Sequence, residues 1–447
     1  MKISLDALNQ EPKYLAALRI IDELSSNGYM AYLVGGCVRD RYMGLKPMDY
    51  DIACNALPEQ VAEVFDKKPF KVVPTGLDHG TLTIVFHAHA FEVTTLRKDV
   101  ETDGRRAKVS FGSSLEEDAA RRDFTMNAMF EDKEGLIKDF FSGRAHIHQK
   151  QLVFVGDATE RIQEDYLRIM RFFRFKTRFK LSTDQATLAA IKAHHKGLSG
   201  ISRERITKEL WGLLSCKEVQ DDFASMVESQ VMSFVFSELD PSGTVFSQVE
   251  NMRVLANLGK SQIASSELPF ARLAFICLRS GQEQAGFRDW SEDELLKVLK
   301  GFRISNAAAQ KILGAVIGFK ELPRLLSADI AQNLLFAGKL EGYGSKGSLK
   351  DLYFPLWECL FSLYEGSVDL KKGLAHLIKI EENFGKRRLK KLPINGKEVM
   401  QVFSISSGSA VGDALSYLKL GYLNGKWNSK EQGMLYLQQY FSEESQS

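Results

Sequence analysis

Residues 33–52 read LVGGCVRDRYMGLKPMDYDI. An apolar, β-branched run enters a double glycine, a short polar stretch follows, and a second extended run carries Asp49 and Asp51 two residues apart. Gly35 and Gly36 have no Cβ, so backbone amides there can approach a phosphate chain, and Arg39 is placed to clamp its oxygens. If Asp49 and Asp51 share a strand, period-two geometry puts both carboxylates on one face. Two such groups repel each other, and bound Mg²⁺ relieves the repulsion while supporting a nucleotidyl transfer. Asp49 and Asp51 are therefore the candidate catalytic and metal-ligating residues, and Gly35, Gly36 and Arg39 candidate nucleotide-binding residues.

Working outward, residues 12–27 show the apolar spacing of an amphipathic helix that precedes the strand ending at Gly35. FKVVPTG, GTLTIVF and AFEVTTLR, all between residues 70 and 97, are rich in β-branched and aromatic residues and are separated by glycine or polar turns. They read as neighbouring strands. Glu92, in the last of them, reads as a cross-strand partner rather than a third metal ligand. Residues 98–122, KDVETDGRRAKVSFGSSLEEDAARR, are strongly polar and are expected to form an exposed, mobile loop. Beyond Gly156 the pattern changes to amphipathic helices, which puts a domain boundary near residue 155. The expected class is α+β, a head with a mixed sheet followed by an all-helical remainder.

A chain of 447 residues has room for about three domains, and its 44% hydrophobic content is ample for cores. The first twenty residues lack the apolar run of a secretory signal, and no later stretch is apolar enough to span a bilayer. Five scattered cysteines form neither a zinc knuckle nor a disulfide framework, so a reducing cytoplasm is expected. The net charge of +2 excludes a global polyanion-binding signature. Local clusters remain: seven basic against two acidic residues over 161–180, and five basic residues in GKRRLKKL, 385–392.

Three further stretches carry a resemblance. RRDFTMNA (121–128), GDATERIQEDYLRIMRFFRF (156–175) and SRERITKEL (202–210) follow the GG…DxD stretch in a fixed order. Together they resemble the class II tRNA nucleotidyltransferase and poly(A) polymerase family. The resemblance implies a polymerase-β-like nucleotidyltransferase head over 1–155, a neck over 156–216 that recognises the base, a helical body over 217–380 and a helical tail over 381–447 that grips tRNA. It implies that Arg122, Asp123 and Asn127 contact the sugar and phosphates of the incoming nucleotide. It makes Asp165, Arg168, Arg171 and Arg174, three residues apart, the base-reading set, with the first two facing one ligand from one helix and the others reaching triphosphate or stacked base. An Asp acceptor beside an Arg donor matches the amine and ring nitrogen of cytosine or adenine and clashes with guanine and uracil. Glu164 is expected to orient Arg168, and Phe172, Phe173 and Phe175 to be core.

The implied activity is template-independent CCA addition to a tRNA 3′ end from CTP and ATP, with Mg²⁺ as cofactor and no DNA or membrane partner. VPTGLDHGTLTIV (73–85) and LPINGKEVMQVFSI (392–405) resemble CCA-adding enzymes rather than poly(A) polymerases, and Asp103-Gly104-Arg105-Arg106 resembles a loop that CC-only enzymes lack. CC-only or A-only addition, polyadenylation and a non-catalytic RNA-binding protein are the alternatives. The chain departs from the family at its hinge, where DFFSGRAHI (139–147) has His146 in place of an aspartate. SRERITKEL reads as helix-stabilising.

Overall fold

The computed structural model describes residues 4–66, 69–77, 80–102, 107–112, 114–240, 244–280, 288–322, 324, 330–343, 349–363, 368–388, 392–405, 408–423 and 425–444. The loop tip at 103–106 and residues 389–391 of the second basic run lie outside them.

The chain begins with α1 (Leu5–Asn9) and α2 (Pro12–Ser26). Pro12 opens α2, where a missing N–H costs nothing, and the Glu11 side chain accepts from Tyr14 N at 3.1 Å. Its buried stripe, Tyr14, Ala17, Ile20, Ile21 and Leu24, is the one its spacing announces. Next come β1 (Ala31–Val34), α3 (Gly36–Tyr42), β2 (Asp51–Cys54), α4 (Pro58–Phe65), β3 (Lys71–Gly76), β4 (Thr81–Phe86) and β5 (His89–Thr95). The head is completed by β6 (Arg97–Thr102), β7 (Ala107–Phe111), α5 (Leu115–Ala120), β8 (Met129–Glu131), β9 (Ile137–Asp139) and α6 (Gly143–His148).

Seven strands form one mixed sheet in the order β3-β4-β5-β2-β1-β8-β9, in which only β2 and β5 pair in parallel. Each face carries its own core. Leu33, Ile52, Phe91 and Val93 pack with the α2 stripe, and Tyr32, Val34, Ala53 and Phe130 pack with Val155. Each large aliphatic side chain so buried stabilises the fold by about 1.5–3 kcal/mol.

Where the expected mobile loop over 98–122 is described, most of it is strand or helix. Strands β6 and β7 form a separate antiparallel ribbon, with Lys98 opposite Ser110 and Glu101 opposite Lys108, and α5 follows. In sequence β6 is polar apart from Val100, while β7, AKVSF, alternates Ala107, Val109 and Phe111 with polar residues, a short strand pattern inside a strongly charged stretch. Helix α5 starts at a capping box, Ser114 Oγ accepting from Glu117 N and Glu117 accepting from Ser114 N.

After the head come α7 (Ala158–Glu164), α8 (Leu167–Phe179), α9 (Gln185–His194) and α10 (Arg203–Leu214). They are followed by α11 (Gln220–Glu228), α12 (Val231–Val235), α13 (Thr244–Ser247), α14 (Val249–Leu258) and α15 (Leu268–Arg279). Eight more α-helices run from Glu292 to Glu444 among the described residues, so the α+β head and helical remainder are the observed class. The chain divides into two compact units, 1–213 with 224–235, and 214–223 with 236–447. Among the described residues no helix is long and apolar enough to cross a membrane.

In the first unit, α8 buries Leu167, Ile169, Met170, Phe172 and Phe173. Phe172 stacks on Phe154 with centroids 5.9 Å apart, and Phe124 lies 4.7 Å from Phe154 and 5.7 Å from Phe175. This aromatic cluster joins α8 to the 121–128 stretch. In the second unit the fully buried Arg272, on α15, donates to four backbone carbonyls. These are Leu255 O (3.1 Å), Leu214 O (2.6 Å), Cys216 O (2.5 Å) and Lys217 O (3.1 Å). Burial pushes its pKa down to about 10.

Candidate active site

Four sheet positions converge at one end of the head. Val34, the last residue of β1, pairs with Asp51, the first of β2, and with Phe130 of β8. Parallel register of Ile52 with Val93 places Asp51 beside Glu92. Gly35 turns the chain away from β1 with φ 75°, its N–H bonded to Met129 O at 3.1 Å. A Cβ there would also stand 3.1 Å from Arg122 Nη1. The backbone conformation is what calls for glycine here, and a side chain would in addition press on the end of Arg122. The turn leads directly into α3, whose N-terminus has no side-chain cap, so its first N–H groups remain available to an anion.

Asp49 lies just ahead of β2 rather than on it, so the strand argument for a shared face does not apply to it. Its side chain is 80% exposed and pairs with Lys13 Nζ at 2.9 Å, while Lys13 also donates to Met48 O. Asp51 is the more constrained carboxylate. Solvent reaches it, but the protein around it and then the neighbouring Glu92 push its pKa up to about 6, with Asp49 adding to the rise and Arg122 opposing it. Glu92 therefore belongs to the acidic group as well as to the β-ladder. The parallel pairing that brings it there is not visible in local sequence. Among the described residues no three acidic, His or Cys side chains form a closed metal cage. The donors available are open carboxylates.

Arg39 does not reach into open space. It is buried, donates through Nε to Asp40 Oδ1 at 2.8 Å and through Nη1 to Asn127 Oδ1 at 2.5 Å, and lies 5.1 Å and 4.7 Å from the ring centroids of Phe175 and Phe179. The expected phosphate clamp is, in this structure, a bridge from the glycine turn to Asn127 and α8. Asn127 in turn donates through Nδ2 to Asp123 Oδ1 at 3.0 Å. An arginine can only donate and an ionised carboxylate can only accept, so the two neighbours fix the amide's orientation and leave its second N–H for a ligand.

Asp123 accepts from Phe124 N at 2.8 Å and from Arg171 Nε at 2.7 Å. Burial alone would raise its pKa, but Arg171 and Asn127 outweigh burial and hold it below the ordinary carboxylate range. Arg122 donates twice to the buried Asp118, at 3.1 and 2.8 Å, and its Nη1 stays near the glycine turn.

Asp165 and Arg168 do not share a helix. Asp165 occupies the extended joint between α7 and α8 (φ −152°, ψ 103°), where Oδ1 accepts from Leu167 N at 3.1 Å and Oδ2 from Arg205 Nη2 at 2.8 Å. Arg168, in the first turn of α8, donates to Glu164 (2.6 Å), as expected, and also to Arg161 O (2.8 Å) and Arg121 O (2.9 Å). Arg171 and Arg174 are not free to reach outward. Glu209 pairs with Arg174 and lies 3.8 Å from Arg171, and both guanidiniums lie against the Phe175 ring. The stretch read only as helix-stabilising, 202–210, thus supplies the counter-charges of Asp165 and Arg174, through Arg205 and Glu209. His146, at the family's hinge position, bonds Thr125 Oγ1 at 2.9 Å through Nδ1, while Asp139 accepts from Gly143 N and Arg144 N.

Residues 31–153 match the model of the Poly A polymerase head domain, and residues 180–242 match that of the probable RNA and SrmB-binding site of polymerase A. A Mus musculus protein, CCA tRNA nucleotidyltransferase 1, mitochondrial, is 44% identical over 45% of this chain and 48% of its own length. A CCA-adding enzyme of Bacillus cereus is 40% identical over 49% of this chain and 55% of its own. The chain spans about half the length of the curated relatives it matches. Among solved structures, the Bacillus stearothermophilus CCA-adding enzyme in complex with CTP is 27% identical with a TM-score of 0.74, covering 98% of this chain and 100% of the other.

Proposed function

We propose that this chain, whose residues 31–153 and 180–242 match the Poly A polymerase head and RNA-binding models, is an enzyme of the class II tRNA nucleotidyltransferase and poly(A) polymerase family that adds CCA to the 3′ end of tRNA from CTP and ATP without a nucleic-acid template. The observation that carries this reading is the convergence of the uncapped α3 N-terminus, the Asp49, Asp51 and Glu92 carboxylates and the 122–127 motif at one end of the head, with Asp165 and Arg168 anchored on the helices that follow.

In the proposed reaction the RNA 3′-hydroxyl attacks the α-phosphorus of the nucleotide, a phosphodiester forms, the α–β bridging bond breaks and pyrophosphate leaves. Gly35, Gly36 and the amides opening α3 face the triphosphate, Arg122 adds charge beside it, and Asn127 offers its remaining N–H to the ribose. Asp165 accepts from the exocyclic amine of C or A and Arg168 donates to the adjacent ring nitrogen. Arg39, Asp123, Arg171 and Arg174 hold these groups in place from behind. Hard carboxylate oxygens, with Asp51 raised first by burial and then by Glu92 and Asp49, suit Mg²⁺, and Asp49 and Asp51 would hold it. When bound, Mg²⁺ supplies activation of the attacking hydroxyl and neutralisation of the leaving pyrophosphate.

The same proposal assigns residues 1–155 as catalytic head, 156–216 as neck, 217–380 as body and 381–447 as an RNA-binding tail. It places the protein in the cytoplasm, supported by the free thiols of Cys37, Cys54, Cys216 and Cys277.

The test is to incubate the purified protein with Mg²⁺ and tRNA transcripts ending before CCA, after C and after CC, supplying CTP, ATP or both, and to resolve products at single-nucleotide length. Three additions to the shortest transcript followed by a stop support the reading. Long A tails, partial addition or no addition replace it with polyadenylation, a split activity or an inert RNA binder.

A further inference from the structure

We propose that Arg205 is a positioning residue that sets how strictly the site rejects G and U. The inference rests on the reading of Asp165 and Arg168 as the pair that meets the base. Asp165 stands in an extended joint, so no helical backbone fixes the direction of its carboxylate. Two bonds do so: Leu167 N on Oδ1, and the Arg205 guanidinium on Oδ2. Arg168, by contrast, is held by three acceptors, a carboxylate and two carbonyls. The acceptor half of the pair is the weakly anchored half, and Arg205 is its side-chain anchor.

The chemistry of selection makes that anchor matter. Cytosine and adenine are told from uracil and guanine by an amine against a carbonyl at one position. The Asp165 carboxylate can only accept there, so held in place it meets the amine and is unfavourable against the carbonyl, whereas one that has swung aside no longer penalises the carbonyl. The Arg205 bond to Oδ2 restrains that rotation. One helical turn on, at i+4 of α10, Glu209 takes Arg174 and approaches Arg171. One face of α10 therefore backs the acidic and basic members of the base-reading set with opposite charges.

The experiment compares the full-length wild type with Arg205→Met and Arg205→Lys. It measures kcat and KM separately for all four NTPs on a tRNA transcript poised for each step, and the melting temperature of each protein. The expected result is a fall of about tenfold in the CTP:UTP and ATP:GTP ratios of kcat/KM for Arg205→Met, the scale of one well-formed base contact. Arg205→Lys, which keeps the charge, should recover part of it. Equal loss of rate on all four nucleotides, with ratios unchanged, would mean that Arg205 only supports the helix and would overturn the proposal. A wild type with no preference among nucleotides would remove the base-reading premise itself and this inference with it.

Discussion

Arg272 lends itself to a direct energetic test, because four of its five N–H groups go to backbone carbonyls and no carboxylate partners it among the described residues. Leu214 O ends α10 and Cys216 O follows it, where carbonyls lack intrahelical partners. Leu255 O belongs to α14, and Lys217 O lies where a Cβ on Gly259 would overlap it. Replacing Arg272 by Met keeps apolar volume and removes every donor. Each orphaned carbonyl costs about 1–3 kcal/mol, offset in part by no longer desolvating a guanidinium. The net loss should be about 3–5 kcal/mol, the usual result of removing one side of a buried charged contact. That is a large share of the roughly 5–15 kcal/mol that stabilises a domain. Urea unfolding followed by tryptophan fluorescence reads it directly, since Trp290, Trp357 and Trp427 are all buried in the second unit. Arg272→Lys should fall between wild type and Arg272→Met, with three donors on one centre for four acceptors. A loss under about 1 kcal/mol for Arg272→Met would refute the argument, because water or a shift of α15 would then be replacing the guanidinium without penalty.

Metal binding should depend on pH through Asp51. Its carboxyl is raised to about 6, so below that value protons compete and apparent Mn²⁺ affinity should drop as pH falls, while Glu92→Gln should move the midpoint downward; a midpoint unchanged in that variant would dissociate the two carboxylates. Asp123 has the opposite sign. Its pKa is depressed in the fold, so the stability it contributes is present above the unfolded value near 3.8 and is lost as pH falls below it, a loss that Asp123→Asn should remove from acid-unfolding curves. Gly35→Ala meets both a positive φ and Arg122 Nη1 at 3.1 Å, and should lower kcat/KM by about tenfold or more while the circular dichroism spectrum stays native. Asp49→Ala should abolish addition of every nucleotide, whereas Asp165→Ala should spare RNA binding and blur nucleotide choice, both read on the same transcripts; intact selectivity in Asp165→Ala would undo the base-reading assignment.

The elements most legible in the sequence were those with one buried face. Strands β4 and β5 and helix α2 show their periodicity because a core demands it of Ile84, Phe91, Ile20 and Leu24. The β6-β7 ribbon lies in a stretch dominated by charged residues, so its composition resembled a loop, although Ala107, Val109 and Phe111 alternate along β7 and Ser114 and Glu117 already spelled the capping box that follows it. The glycine turn and acidic pair were readable because few other jobs require that order of residues. Their partners were not. Arg39 meets Asn127 and Phe175, and Asp165 meets Arg205, across separations that local spacing cannot report. Spacing also misled at Asp165, because the break between α7 and α8 contains neither Pro nor Gly.

The contact of Arg39 with Phe175 and Phe179 bears on synthesis of the chain as well as on its site. Asp123 is a buried carboxylate whose ion-pair partner, Arg171, lies on α8, Arg39 packs against two α8 rings, and Arg174 looks in turn to Glu209. While the ribosome has exported only the first 155 residues, the sheet can pair, but Asp123 is without its cation and Arg39 without its rings. The first unit accordingly runs through residue 213 and takes in 224–235 as well. A nascent chain should acquire protease resistance in a single late step, when α10 clears the exit tunnel, rather than strand by strand as the head emerges.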